Sequence, residues 1–231
     1  MSVEFVSAAQ AAQGAACEAP LRLVDTFGRV ARDLRVSLTD RCNLRCSYCM
    51  PPEGLDWLPT EETLTDDEVV RLVGIGVERL GIRQVRFTGG EPLLRRGLEG
   101  IIGECSELRT DEGKKPDLAL TTNALGLAKR AQGLRDAGLD RVNISLDSLD
   151  REHYAAITRR DRLGDVLEGI EAAARAGLSP IKVNTLVLRG MNEADLPDLV
   201  DYCLDRGIEL RVIEQMPIGP VDAWNRQNIL T

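Results

Sequence analysis

The strongest constraint on how this chain can fold is a regular alternation of short β-rich runs with longer helix-like stretches. The runs lie at 34–39 (LRVSLT), 84–90 (QVRFTGG), 117–123 (DLALTTN), 141–147 (RVNISLD), 181–188 (IKVNTLVL) and 208–216 (IELRVIEQM). Helical patterns fill about 66–80, 94–109, 126–137, 150–160 with 164–176, and 193–206. Thr65 and Glu68 form a capping box ahead of the first helix, and Gly81 stands where a C-terminal stop is needed. Gly138, Gly177 and Gly207 hold the same place after later helices. Strands separated by helices join in parallel through right-handed crossovers. The class is therefore α/β, as a six-stranded partial (β/α)6 parallel barrel or a doubly wound sheet. This unit spans 21–216 and leaves no room for a second domain. Residues 1–20 are rich in Ala and Gln without a clean period, and read as a flexible N-terminal tail. Residues 217–231 read as the start of a C-terminal region that is cut short.

The strands carry a second pattern. Buried parallel strands normally read as continuous apolar runs, but these alternate. Arg35, Ser37 and Thr39 interleave with Leu34, Val36 and Leu38, and Arg86 and Thr88 with Val85 and Phe87. The later strands offer Thr121 and Asn123, then Asn143, Ser145 and Asp147, then Lys182 and Asn184, then Arg211. A period of two puts each set on one face. One face of the sheet is thus apolar and lies under helices, while the other is polar and forms the interior of a curved sheet. Four cations there, Arg35, Arg86, Lys182 and Arg211, require anionic company. Glu91, Asp147 and Glu214 can supply some, which makes an internal salt-bridge network. The other reading is a pocket for a multiply anionic ligand such as a nucleoside triphosphate.

Composition excludes several classes. The net charge is −8, which gives no general pull towards nucleic acid or an anionic membrane. No apolar run approaches a membrane span, and the first residues lack the basic and apolar regions of a secretion signal. A cytoplasmic location follows, and with it reduced cysteines. The core must be built from Val, Leu, Ile and Ala, because aromatics are only 3%.

Three of the six cysteines, Cys42, Cys46 and Cys49, fall in RCNLRCSYC, just past the first strand. That is the end of a parallel barrel where active sites gather. A closed zinc site takes four ligands, and the single histidine, His153, lies on a helix surface far along the chain. Three cysteines on a four-iron cluster leave one iron open to a small molecule. Cys17, Cys105 and Cys203 are dispersed and read as small hydrophobes or idle thiols. At the end of the second strand, TGGEP (88–92) offers two glycines that permit close backbone approach and a carboxylate, Glu91, that can accept from an ammonium.

CNLRCSYC and TGGEP resemble the two signature motifs of the radical S-adenosylmethionine (SAM) enzymes. The fuller series SLTDRCNLRCSYCMP, VRFTGGEPLLRR, TTNA, NISLDSLD, IKVNT and RVIEQMPIG resembles, in order, the GTP 3′,8-cyclase family of molybdenum cofactor biosynthesis, from about residue 21 to the end. The resemblance implies a partial barrel of the radical SAM type. It implies that Cys42, Cys46 and Cys49 hold a 4Fe–4S cluster. SAM is then met by Tyr48, Gly89, Gly90, Glu91, Ser145 and Met216, and GTP by Arg35, Arg86, Thr121 and Lys182, with Arg35 also near the chemistry. The implied reaction takes a hydrogen from C3′ of GTP with a radical derived from SAM and joins C3′ to C8, giving (8S)-3′,8-cyclo-7,8-dihydroguanosine 5′-triphosphate. The implied partners are GTP, SAM, an electron donor and a second copy in a homodimer. The family carries a second three-cysteine cluster near its C-terminus, and the chain stops before that region, so full activity is not assured by the resemblance. Where the family often has TTNG, this chain has Ala124, which must take up that turn's backbone.

Overall fold

The computed structural model describes residues 21–216, and the expectations for 1–20, Cys17 and 217–231 lie outside the described residues. Six strands form one sheet: β1 (Asp33–Ser37), β2 (Gln84–Thr88), β3 (Asp117–Thr122), β4 (Arg141–Ser145), β5 (Ile181–Leu186) and β6 (Glu209–Ile213). All neighbouring pairs are parallel, and the strands lie in sequence order. A doubly wound sheet reverses its order at a switch point, and this one does not. Right-handed crossovers that always step in one direction leave the helices on one face. These are α1 (Asp66–Gly74), α2 (Leu98–Ser106), α3 (Leu127–Asp136), α4 (Arg151–Thr158), α5 (Leu163–Arg175) and α6 (Leu196–Asp205).

The capping box is present. Thr65 Oγ1 accepts from Glu68 N at 3.3 Å, and Glu68 Oε2 accepts from Thr65 N at 2.8 Å. The first helix is shorter than its pattern, because after Gly74 it widens into a π-type turn over Ile75–Arg79 before Gly81, at φ +73, ends it. The strands also stop short of their β-rich runs, since the residues after them serve loops. Leu186 N, for example, donates to the Asp147 carboxylate at the strand's end.

The apolar positions of the alternation make the core. Val85, Phe87, Leu118, Leu120, Val142, Ile144 and Val183 are wholly buried, packed in one cluster with Val73, Ile102, Leu127 and Val166 from the helices. Each such side chain contributes about 1.5–3 kcal/mol of burial. Cys105 and Cys203 are buried among them as small hydrophobes.

The polar positions stack in rows across the other face. One row runs Arg35, Arg86, Ala119, Arg141. The next holds Thr121, Asn143, Lys182, Glu209, and the last Ser145, Asn184, Arg211. In a flat sheet the two edge strands would stand about 24 Å apart. Yet Arg35 on β1 and Met216 beyond β6 line one cavity, so the sheet curls into a partial barrel. Its interior is open rather than sealed, with Arg35 and Ser37 exposed along β1. The expected burial of the interior cations is therefore only partial.

Candidate functional site

The cysteine loop, residues 38–50, crosses the C-terminal mouth of the sheet with Leu44 and Met50 buried as anchors. It has no helix or strand of its own, so its backbone groups need partners elsewhere. Helix α4 supplies two. Its last carbonyls accept from the loop, Ile157 O from Ser47 N at 2.8 Å and Thr158 O from Arg45 N at 3.1 Å. These are carbonyls that a helix C-terminus leaves unpaired. Arg159, in the left-handed region at φ 56, then reaches back and donates from Nη1 to Arg45 O (3.0 Å) and Met50 O (2.9 Å).

The other side of the loop docks on TGGEP. Gly90 N donates to Thr39 O at 2.7 Å, and Glu91 N to Arg41 O at 2.8 Å. A Cβ at Gly89 would sit 2.3 Å from Thr39 O, and one at Gly90 would sit 2.3 Å from Arg41 O. The two glycines are thus required by the approach of loop to loop. The end of β3 joins as well, since Asn123 Nδ2 donates to Asn43 Oδ1 at 2.7 Å. The next residue, Ala124, has φ 65, the backbone anticipated where a glycine is common.

Two cavities meet at this mouth. One, of about 190 Å³, is lined by Cys42, Cys46 and Cys49 together with Gly89, Gly90 and Ser145. The other, of about 350 Å³, is lined by Arg35, Thr121, Asn184 and Met216 among others. Tyr48, Cys49, Thr121, Ser145 and Asp147 border both, so the two are contiguous. Tyr48 Oη donates to Asp147 Oδ2 at 2.8 Å on that border, and Leu186 N donates to Asp147 Oδ1 at 2.8 Å. Burial pushes the Asp147 carboxyl up to about 6 against the opposing pull of these two bonds. A third cavity of about 370 Å³, between Leu58, Leu64 and Arg95, contains no cysteine.

The structure corrects several expectations. Glu91 is wholly buried beneath the cavity and does not line it. Its Oε1 accepts from Leu93 N and Thr122 Oγ1, and its Oε2 from Asn123 N. It braces the second loop on β3. Glu91, Asp147 and Glu214 also do not neutralise the strand cations. Glu209, which shares the parity of Arg211, takes that role, at 2.7 Å from Lys182 and 3.0 Å from Arg211. Arg86 and Lys182 lie on the same face as the cavities but outside the lining of the larger one. Arg86 Nε is buried without a hydrogen-bond partner among the described residues. Desolvation, then the nearby charges of Arg141, Arg35 and Arg211, pull its pKa down. His153 is not simply solvated, because its Nδ1 bonds Asp195 Oδ2 at 2.9 Å, away from the cysteines.

Three soft thiols on one cavity are a donor set for iron–sulfur ligation. Among the described residues, no three His, Cys, Asp or Glu side chains converge as they stand on one ion position. Burial raises all three thiols, Cys46 to about 12, so ligation must release their protons. Around them stand groups suited to anionic sulfur. Asn123 Nδ2 is 4.0 Å from Cys42 Sγ, and Tyr154 lines the cavity with its hydroxyl buried and without a hydrogen-bond partner among the described residues. The residues present therefore fit a cluster. Asn123, Asp147, Tyr154, Arg159 and Glu209 are the site residues that sequence reasoning did not assign. Only Asn123, Asp147 and Glu209 carried a signal, by strand position and parity.

The chain matches the model of the Radical SAM superfamily over residues 36–203. It is 64% identical over 209 residues to a GTP 3′,8-cyclase of Corynebacterium glutamicum, covering 90% of this chain and 55% of that protein. It is 60% identical over 204 residues to a GTP 3′,8-cyclase of Mycobacterium sp. (strain KMS), covering 88% of this chain and 57% of that one. The chain thus spans little more than half the length of the curated relatives it matches. Among solved structures it is similar to native anSMEcpe with bound AdoMet. The TM-score is 0.64 at 18% identity, over 80% of this chain and 51% of that one, a likeness of fold. Among the described residues, no helix is long and apolar enough to cross a membrane.

Proposed function

The chain belongs to the Radical SAM superfamily, and on that premise we propose that it carries the SAM-cleaving half of a GTP 3′,8-cyclase. Cys42, Cys46 and Cys49 would hold a 4Fe–4S cluster, which supplies the electron that opens SAM. Gly89, Gly90, Ser145, the Tyr48 backbone and Met216 would line the SAM site, with Glu91 bracing it from below. Arg35, Arg86, Thr121 and Lys182 would receive GTP. The names of the relatives support this reading. The observation that carries it is the contiguity of the two cavities, one bearing the thiols and the other lined by Arg35, which stands in register beside Arg86, a cation with its Nε buried and unbonded among the described residues.

The protein's own work here is placement. The cations fix a triphosphate and so orient the ribose towards the cysteine loop, where proximity does much of what catalysis needs. Tyr48 and Asp147 wall the junction between the two ligands. Lys182 must leave Glu209, or share it, to reach a phosphate. The same reading assigns a cytoplasmic location, a one-electron donor and a homodimer, each supported by the family resemblance.

Calorimetric titration of GTP and guanosine into the protein tests the substrate assignment. GTP should bind at least about tenfold more tightly than guanosine, a difference of about 1.4 kcal/mol. Lys182→Ala should weaken GTP binding more than SAM cleavage. Equal losses in both, or no preference for the triphosphate, would contradict the assignment.

A further inference from the structure

We propose that the Tyr154 hydroxyl donates a hydrogen bond to the iron–sulfur group held by Cys42, Cys46 and Cys49, and thereby sets its reduction potential. The inference rests on the cluster reading above. Tyr154 lies on α4, is 1% exposed, and lines the cysteine cavity beside Cys46. Its Oη has no hydrogen-bond partner among the described residues. A buried hydroxyl without a partner costs about 1–3 kcal/mol, and a phenyl ring would fill the same space without that cost. The hydroxyl is explained if its acceptor arrives with the cluster.

Other donors around the cavity are spent. Tyr48 Oη gives its hydrogen to Asp147. Against the upward push of burial, Thr158 Oγ1 on α4 stands close enough to the Tyr154 hydroxyl to pull its pKa down. It nevertheless lies outside the geometry of a hydrogen bond to that hydroxyl, and its own hydrogen is directed at Tyr154 O (2.8 Å) or Arg160 O (2.9 Å). Asn123 Nδ2 is committed to Asn43. Helix α4 is a fitting carrier, because its last carbonyls hold the cysteine loop and fix Tyr154 against it. Cluster sulfides and thiolates are anionic acceptors. A donor to them favours the reduced, more negative state and raises the potential.

The test uses the full chain, reconstituted with iron and sulfide without oxygen, in redox titrations followed by electron paramagnetic resonance. Tyr154→Phe should retain the wild-type iron content and show a more negative midpoint potential. Tyr202→Phe is the control. Its hydroxyl is also buried and unpartnered among the described residues, but its ring stacks under Arg206 on α6, away from the cysteines. It should leave the potential unchanged. An unchanged potential in Tyr154→Phe, a loss of iron in place of a shift, or an equal shift in Tyr202→Phe overturns the inference. Wild-type protein that holds no iron overturns the cluster reading itself, a separate and visible failure.

Discussion

Arg35 and Arg86 stand opposite each other in register on β1 and β2, and neither has a carboxylate partner among the described residues. Two like charges side by side, one with its Nε buried and unbonded, are a local defect in the folded chain. Such a defect persists at functional sites, where an anionic ligand resolves it. Replacing Arg86 by Met keeps the volume and removes the charge. Arg86→Met should therefore stabilise the ligand-free protein by on the order of 1 kcal/mol while abolishing the preference for GTP over guanosine. Thermal unfolding and nucleotide titration check the two halves. A destabilised variant that still prefers the triphosphate would count against the cation reading.

Loop-to-loop packing gives a second expectation. A methyl at Gly90 meets the backbone carbonyls of Arg41 and Asp40 at 2.3 and 2.4 Å. Backbone cannot yield as a side chain tip can, so Gly90→Ala should lose about 3 kcal/mol. It should also lower iron uptake by displacing the cysteine loop. Unchanged melting would show that the two loops are not docked as described.

How much of this was legible in the sequence follows from what each signal reports. The alternation of elements, the capping box at Thr65 and the parity of the strand residues are local, and they gave the strands, the helices and the two faces of the sheet. The choice of a partial barrel over a doubly wound sheet depends on strand order, which spacing does not encode and the family resemblance had to supply. Glu91 was legible as a residue but not as a brace, since its partners, Thr122 and Asn123, come from another strand. The glycines were read as making room for a ligand, whereas a Cβ there would clash with Thr39 and Arg41. Tyr154 and Arg159 left no sequence signal, because only the packing of α4 brings them to the cysteines.

Arg159 is expected to be a positioning residue for that loop. Arg159→Ala removes the bonds to Arg45 O and Met50 O. The amides of Arg45 and Ser47, held by α4, should then exchange with solvent faster, and iron content should fall. Arg159→Gly relieves the positive φ yet restores neither bond, so it should match Ala in loop exchange. Rescue by glycine alone would mean that backbone strain, and not the guanidinium, is what matters there.

At the opposite end of the sheet, Asp111 is held down to about 2, chiefly by its hydrogen bonds from Arg83 and then by Arg32. Its folded value lies below the unfolded value of about 3.9. Its contribution is therefore complete above about pH 4 and is lost as pH falls through about 2. Asp111→Asn should melt below wild type at pH 7, with the gap closing as pH approaches 2. A gap that stays constant across that window would show that the charge is not responsible.

Three cysteines beside the cavity lined by Arg35 are expected to make a SAM-cleaving, GTP-binding site. The most direct test is chromatographic detection of 5′-deoxyadenosine from the reconstituted, reduced protein given SAM, with and without GTP. 5′-Deoxyadenosine is expected to form, and GTP to change its yield. Protein that holds about four irons per chain, as a 4Fe–4S cluster requires, yet forms none under either condition would contradict it.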